Sequence, residues 1–289
     1  GMHLQDLCSR YNIRFKRQLG QNLLVDDNIN RIMVEAANLT RDDDVIEVGA
    51  GLGALTRYLH PVARRVLAIE IDFSFMPCLE DRFGGVDNVV LFRGDVLNHG
   101  VDKLAAEFLP DGERFHMLSN LPYYITTPVL FHFWESPLPM RQMVVMVQEE
   151  VALRLTAAVD THDYGMLAMA ARYFGDVDLI RRVPRTCFRP IPKVDSCVVR
   201  LRTRETPLYP DVDRAFLMAL MRAAFGQRRK TLRNSLTKSG SFGAPREAVL
   251  EAMEAAAIAP GRRPQTVTLD EFARLAKEIR LRMNPECST

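Results

Sequence analysis

Val45-Ile46-Glu47-Val48-Gly49-Ala50-Gly51-Leu52-Gly53-Ala54-Leu55-Thr56 is the stretch that decides how this chain is read. A buried-strand run passes directly into three glycines at alternate positions and then into helix-forming sequence, so the backbone turns from sheet to helix where another group can come close to it. The spacing is G-x-G-x-G, not the G-x-G-x-x-G of dinucleotide binders, and a glycine turn alone is a weak signal. Its weight comes from its surroundings. Runs of the same strand type recur at residues 66–69, 89–92, 117–118 and 143–147, separated by helical stretches. That alternation predicts an α/β fold, a parallel sheet with helices on both faces. Two further runs, 177–180 and 197–201, extend the sheet at one edge. Upstream, Asp26 predicts the cap of a helix with Ile29, Ile32, Met33 and Ala36 on one face.

The alternation stops near Thr206-Pro207-Leu208-Tyr209-Pro210. Beyond it the pattern predicts helices over about 211–225, 227–237, 245–257 and 269–283. Two domains are therefore expected: 1–205, with a basic N-terminal arm inside 1–25, and a small all-helical domain over 206–289.

The chain has 289 residues, 47% hydrophobic and 26% charged, enough apolar material for a core and incompatible with a disordered or fibrous protein. Its longest uncharged run, between Arg114 and Glu135, is broken by Asn120, Pro122 and Pro128, so no membrane span is expected. The five cysteines are scattered without C-x-x-C spacing, which points to neither a disulfide framework nor a zinc site and fits a reducing cytoplasm. Gly1 is read as an addition ahead of the initiator Met2, and the residues that follow lack the character of a signal or transit peptide. The six histidines show no ligand spacing, and no metal is expected.

The formal net charge of +2 is unevenly spread. Residues 181–240 hold 15 Lys/Arg against 4 Asp/Glu, a local net of +11 that leaves −9 for the remainder. Such a block is the footprint of a binder of phosphate backbones, or else a solvated face laced with salt bridges.

Glu70 ends the second strand and is placed to accept hydrogen bonds from ribose hydroxyls; Asp95, after the third, is placed to accept from an adenine amino group. With Gly49 and Gly51, three consecutive strand ends thus form one site for an adenosyl ligand. Read singly, Glu70 and Asp95 are equally helix caps or surface charges. No Lys with Ser/Thr is placed to grip phosphates, which argues against ATP or GTP and favours S-adenosylmethionine.

After the fourth strand comes Asn120-Leu121-Pro122-Tyr123, the most specific signal in the chain. An exocyclic adenine amine is a poor nucleophile because its lone pair is delocalised into the ring. Two carbonyl acceptors gripping its hydrogens localise that pair toward an incoming methyl group. The Asn120 side chain supplies one acceptor and the Leu121 backbone the other, Pro122 stiffens the turn, and Tyr123 offers a stacking face. Holding nitrogen and methyl carbon in line then supplies much of the acceleration. Phe188, in Phe188-Arg189-Pro190-Ile191-Pro192-Lys193, reads either as a second face sandwiching an extruded base or as a core phenylalanine.

These residues resemble the small-subunit (16S) ribosomal RNA adenine N6,N6-dimethyltransferases. The likeness runs from Gly20-Gln21-Asn22 through the glycine turn, Glu70, Asp95, Asn120 to Tyr123, Gln148-Glu149-Glu150, Asp163-Tyr164-Gly165 and Phe188 to Ser196. It continues through Phe225-Gly226-Gln227-Arg228-Arg229-Lys230-Thr231-Leu232-Arg233 to Arg263-Pro264. The resemblance implies a Rossmann-like class I methyltransferase sheet and methylation of two adjacent adenosines, twice each, in the 3′-terminal hairpin of the RNA within an assembling ribosomal particle. It implies a cofactor pocket lined by Asn22, Leu24, Gly49, Glu70, Asp95 and Asn120; Asn22 and Leu24 come from the resemblance alone. Arg228, Arg229, Lys230 and Arg233 are the expected RNA contacts, and the protein is expected to act as a monomer. Leu19, Leu23 and Tyr124 depart from the usual pattern without removing a group the chemistry needs. Two alternatives share these motifs: a large-subunit RNA adenine methyltransferase of the resistance type, which the long helical tail disfavours, and a non-catalytic assembly factor, which retention of every reactive residue disfavours.

Overall fold

The structure, a computed structural model, describes residues 4–14, 22–121, 123–238 and 242–283. Much of the basic arm, Gly20, Gln21 and Leu19 among it, lies outside the described residues, as do Pro122 and the side chain of Tyr123. The strands are β1 (Leu23–Leu24), β2 (Asp43–Val48), β3 (Arg65–Glu70), β4 (Val89–Arg93), β5 (Arg114–Ser119), β6 (Gln142–Gln148), β7 (Gly175–Val183), β8 (Phe188–Arg189) and β9 (Ser196–Thr203). The helices are α1 (Leu4–Arg10), α2 (Asp27–Ala37), α3 (Thr56–Leu59), α4 (Met76–Phe83), α5 (Val101–Phe108), α6 (Thr126–Trp134), α7 (Glu149–Leu155), α8 (Met166–Phe174), α9 (Arg214–Phe225), α10 (Leu232–Thr237), α11 (Arg246–Ala255) and α12 (Leu269–Met283).

Seven strands form one sheet in the order β4-β3-β2-β5-β6-β9-β7, and β1 pairs separately with β8. The strands from β4 through β6 are parallel, and β9 runs antiparallel to β6. Every strand the sequence predicts is present, and the last two extend one edge as expected. Burial explains the near-continuous apolar runs. Val45, Val66, Leu118, Val144, Met146 and Val198 pack with Ile29 and Met33 of α2 and Leu55 and Leu59 around α3. Their neighbours Ile46, Leu67, Met117, Met143 and Val145 point the other way and are equally inaccessible, so the second face is covered too. The buried stripe of α2, capped by Asp26, runs through Ile29, Met33, Val34 and Ala37. Ile32 and Ala36, expected on that face, lie at its margin, half-buried.

Two compact units make up the chain: residues 1–152 with 176–203, and residues 153–175 with 204–289. The second therefore takes in a segment that precedes the last strands. Tyr164, fully buried, donates to the Val267 carbonyl at 2.9 Å, and its ring meets Phe225 edge-on at 5.8 Å. The Asp160 amide bonds the Gln265 carbonyl at 2.9 Å. Within this unit the helix expected over 227–237 begins at Leu232, because the Thr231 hydroxyl caps it by accepting from the Asn234 amide at 3.2 Å. Residues 227–230 form a turn instead.

Candidate active site

The chain enters the sheet at β2, winds outward through β3 and β4, then returns to β5 on the opposite side of β2. The strand order reverses there, and ligands of open α/β sheets bind outside the carboxyl ends at that point. A cavity of about 630 Å³ lies at that place, within the range of small-molecule sites. Gly49, Gly51, Glu70, Asp95, Asn120 and Leu121 all line it, so the four strand tips singled out in the sequence do come together.

Hydrogen bonds fix the tips to one another. The Gly49 and Ala50 amides both donate to the Ile69 carbonyl, at 2.9 and 3.0 Å, and the Gly94 amide donates to the Glu70 carbonyl at 2.9 Å. The Ser119 hydroxyl donates to the Val48 carbonyl at 2.7 Å. Gly49 has φ +81°, and a methyl group there would press on the Leu121 side chain at 3.3 Å, so only glycine lets the turn abut Asn120-Leu121. At Gly51 an added methyl would meet nothing within 4 Å. The open space beside that residue is the room a ligand needs.

Glu70 serves the turn as well as the cavity. It is only 5% exposed, and its two oxygens accept from the Gly51 and Asp72 amides, each at 2.8 Å. Burial pushes its carboxyl up from the ordinary range, while those two amide bonds pull the other way. A carboxylate has about four lone-pair positions, so acceptor capacity is left over on the cavity side. Asp95 caps the short turn Val96–Asn98, accepting from the Leu97 amide at 3.0 Å, and it lines the cavity too. The cap reading and the ligand reading of Asp95 are thus both compatible with its position.

Asn22 lines the cavity and donates to the Pro190 carbonyl at 2.5 Å. Leu24 does not line it; Leu23 does, and Leu24 lies in the core, 7% exposed. Phe188 stands opposite Leu24 in the β1–β8 pair, 1% exposed, in the same cluster as Met33, Leu118 and Met146. Its ring presents no open face, which corrects the stacking role: strand alternation turns it into the core.

Two further aromatic residues stand at the site, Tyr124, whose departure from the family pattern gave it no role, and Phe73, which no motif marks. Tyr124 and Phe73 both line the cavity, 59% and 69% exposed, and the Arg93 guanidinium lies 3.2 Å over the Phe73 ring. Glu47, buried at the foot of the glycine turn, accepts from the Thr56 hydroxyl just beyond it, and burial pushes its carboxyl up to about 8. The x-Asp that follows Glu70 was the available signal for Asp72, which accepts from the Ser74 amide at 2.9 Å.

The candidate RNA contacts belong to the helical unit. Arg228, Arg229, Lys230 and Arg233 are exposed, and Arg228 reaches the His162 carbonyl at 2.8 Å. Among the described residues no cluster of His, Cys, Asp or Glu is placed to hold a metal ion, and no helix is long and apolar enough to cross a membrane.

A sheet in this order, with a glycine turn and an acidic tip beside a cavity that lacks a phosphate grip, defines a class I methyltransferase, whose cofactor is S-adenosylmethionine. The comparisons make the class narrower. The profile of the ribosomal RNA adenine dimethylase family matches residues 12–280, and the chain belongs to that family. It is 45% identical over 278 residues to the ribosomal RNA small subunit methyltransferase A of Pelotomaculum thermopropionicum, covering 94% of each chain. It is 42% identical over 276 residues to the protein of that name from Lysinibacillus sphaericus, covering 95% of this chain and 94% of the relative. Among solved structures, a dimethyladenosine transferase from Plasmodium falciparum shares the fold with a TM-score of 0.72 at 24% identity, over 91% of this chain and 98% of that one. The 23S rRNA methyltransferase ErmE gives 0.58 at 28% identity, over 88% and 98%.

Proposed function

We propose that this protein transfers methyl groups from S-adenosylmethionine to the exocyclic amines of two adjacent adenosines in the 3′-terminal hairpin of small-subunit ribosomal RNA, in an assembling particle in the cytoplasm. The observation that carries the reading is the convergence of Gly51, Glu70, Asp95 and Asn120 on one cavity at the switch point of the sheet. When bound, the cofactor supplies a methyl group on a sulfonium, a good leaving group. The residues present fit it: the space beside Gly51 is open, Glu70 would accept from ribose hydroxyls, and Asp95, which lines the same cavity, would accept from an adenine amine.

Asn120 then acts on the target. Its side-chain carbonyl accepts from the adenine amine and, with the Leu121 carbonyl, holds the nitrogen lone pair toward the methyl carbon. Pro122 and Tyr123 are assigned the stiffening and stacking roles the motif implies. The acceleration comes chiefly from alignment; once the new bond makes the nitrogen acidic its proton passes to solvent water, so no strong base is needed. In this reading the sheet unit, residues 1–152 with 176–203, carries the transfer, and the helical unit carries RNA binding through Arg228, Arg229, Lys230 and Arg233.

The small-subunit reading is favoured over the large-subunit one because the curated relatives at 42–45% identity bear small-subunit names, against 28% for ErmE. Incubating the protein with labelled cofactor and purified unmethylated small or large subunits tests this choice. Label is expected in the small subunit; label confined to the large subunit would overturn it.

A further inference from the structure

The charge of the basic block is not confined to the helical unit. Between residues 181 and 195 there are five Lys/Arg and one carboxylate, and Arg181, Arg182, Arg185, Arg189 and Lys193 are all exposed. Their position is set by the sheet. Ser196 pairs with Gln148 at the carboxyl end of β6, and the Glu149 amide donates to the Asp195 carbonyl at 3.1 Å. Asp195 in turn holds this segment, accepting from the Arg185 amide at 2.7 Å and from the Arg182 guanidinium. The segment therefore stands on the edge of the sheet that carries Gly49, Glu70, Asp95 and Asn120. It is also tied to the cavity wall: the Asn22 amide bonds the Pro190 carbonyl, Leu23 is opposite Arg189, and both Asn22 and Leu23 line the cavity.

Nearby acids do not cancel the charge. Asp195 and Glu149 face Arg182, and Asp26, which faces Cys187 and caps α2, is the third carboxylate at hand. Among the described residues the side chains of Arg181, Arg185 and Lys193 bond no carboxylate. Cations on an edge strand such as β7 also serve to block strand addition, but this row continues past β7 to Arg185 and Lys193, which lie outside any strand.

We infer that residues 181–193 form a cationic ledge in the sheet unit that grips the phosphodiester backbone of the RNA strand delivering the target adenosine to the cavity. It is a second grip, distinct in sequence and in unit from Arg228 to Arg233, and it rests on the reading of the protein as an RNA adenine methyltransferase. Recognition there is of phosphates, not of bases, so it orients the strand without reading it.

The test replaces Arg181, Arg185 and Lys193 together by Gln in the full chain and measures binding of an RNA stem-loop with unmodified loop adenosines across a salt series. Three lost phosphate contacts lower the slope of log affinity against log salt by about 2, and binding near physiological salt weakens about tenfold or more, with cofactor affinity unchanged by calorimetry. A companion Arg181→Lys, Arg185→Lys variant retains the wild-type slope. Wild-type slope and affinity in the Gln variant, even with altered solubility, would reduce the ledge to protection of the sheet edge and overturn the inference. Failure of the wild-type protein to bind or methylate the RNA would instead overturn the functional reading, and the ledge with it.

Discussion

Glu70 shows how one side chain both ties the glycine turn and lines the cavity. Its place at the cavity could be read from position alone, 21 residues after Gly49, but its two bonds to the Gly51 and Asp72 amides could not, because nothing in the spacing shows where those amides point. Glu70→Ala is therefore expected to weaken cofactor binding at least tenfold while RNA binding changes little; equal losses by calorimetry would make Glu70 merely structural. The glycines separate in the same way. Gly53 has φ +85° and lies against the Phe83 ring, so Gly53→Ala is expected to cost about 2 kcal/mol of stability in a denaturant titration. Gly51, at φ +56° with open space around it, costs about half of that when changed to Ala, and the larger effect there is a raised KM for the cofactor.

Among the elements, the strands were legible because both faces of the sheet are buried and the runs are correspondingly apolar. The two-residue pair β1–β8 was not: Leu24 and Phe188 are too short a pair to give any period, so their inward orientation had no signal in the sequence. Two buried carboxyls at opposite ends of β2 respond to pH in opposite senses. Asp43, at the start, is opposed by burial, but bonds from His116 and Thr40 overcome this and hold it at about 2. Its contribution is present above the unfolded value of 3.8 and is lost as pH falls toward 2. Glu47, at the end, is held protonated by burial, so its contribution is full below 4.5 and is lost as pH rises through about 8. Chemical denaturation at several pH values is expected to show Asp43→Asn destabilised by about 3 kcal/mol at neutral pH. Glu47→Gln is expected to flatten the decline in stability between pH 4.5 and 8; an unchanged decline would place that titration elsewhere.

At the scale of the whole molecule, that residues 153–175 belong with the helical unit was not legible in the sequence, since the Tyr164 to Val267 bond joins positions about a hundred residues apart. The charge asymmetry was legible as a sum, not as two separate rows in two units. RNA affinity is expected to fall steeply with salt, and a flat response would refute the phosphate-binding account as a whole. The central claim, that Asn120 presents an adenosine amine to the methyl group of a cofactor held at the strand tips, is tested most directly by mass spectrometry of nucleosides. Unmethylated small subunits are incubated with labelled S-adenosylmethionine and either the wild-type protein or Asn120→Ala. Doubly labelled N6,N6-dimethyladenosine is expected from the wild type, with transfer by the variant at least about a hundredfold slower; unlabelled adenosine from the wild type, or undiminished transfer by the variant, would contradict the account.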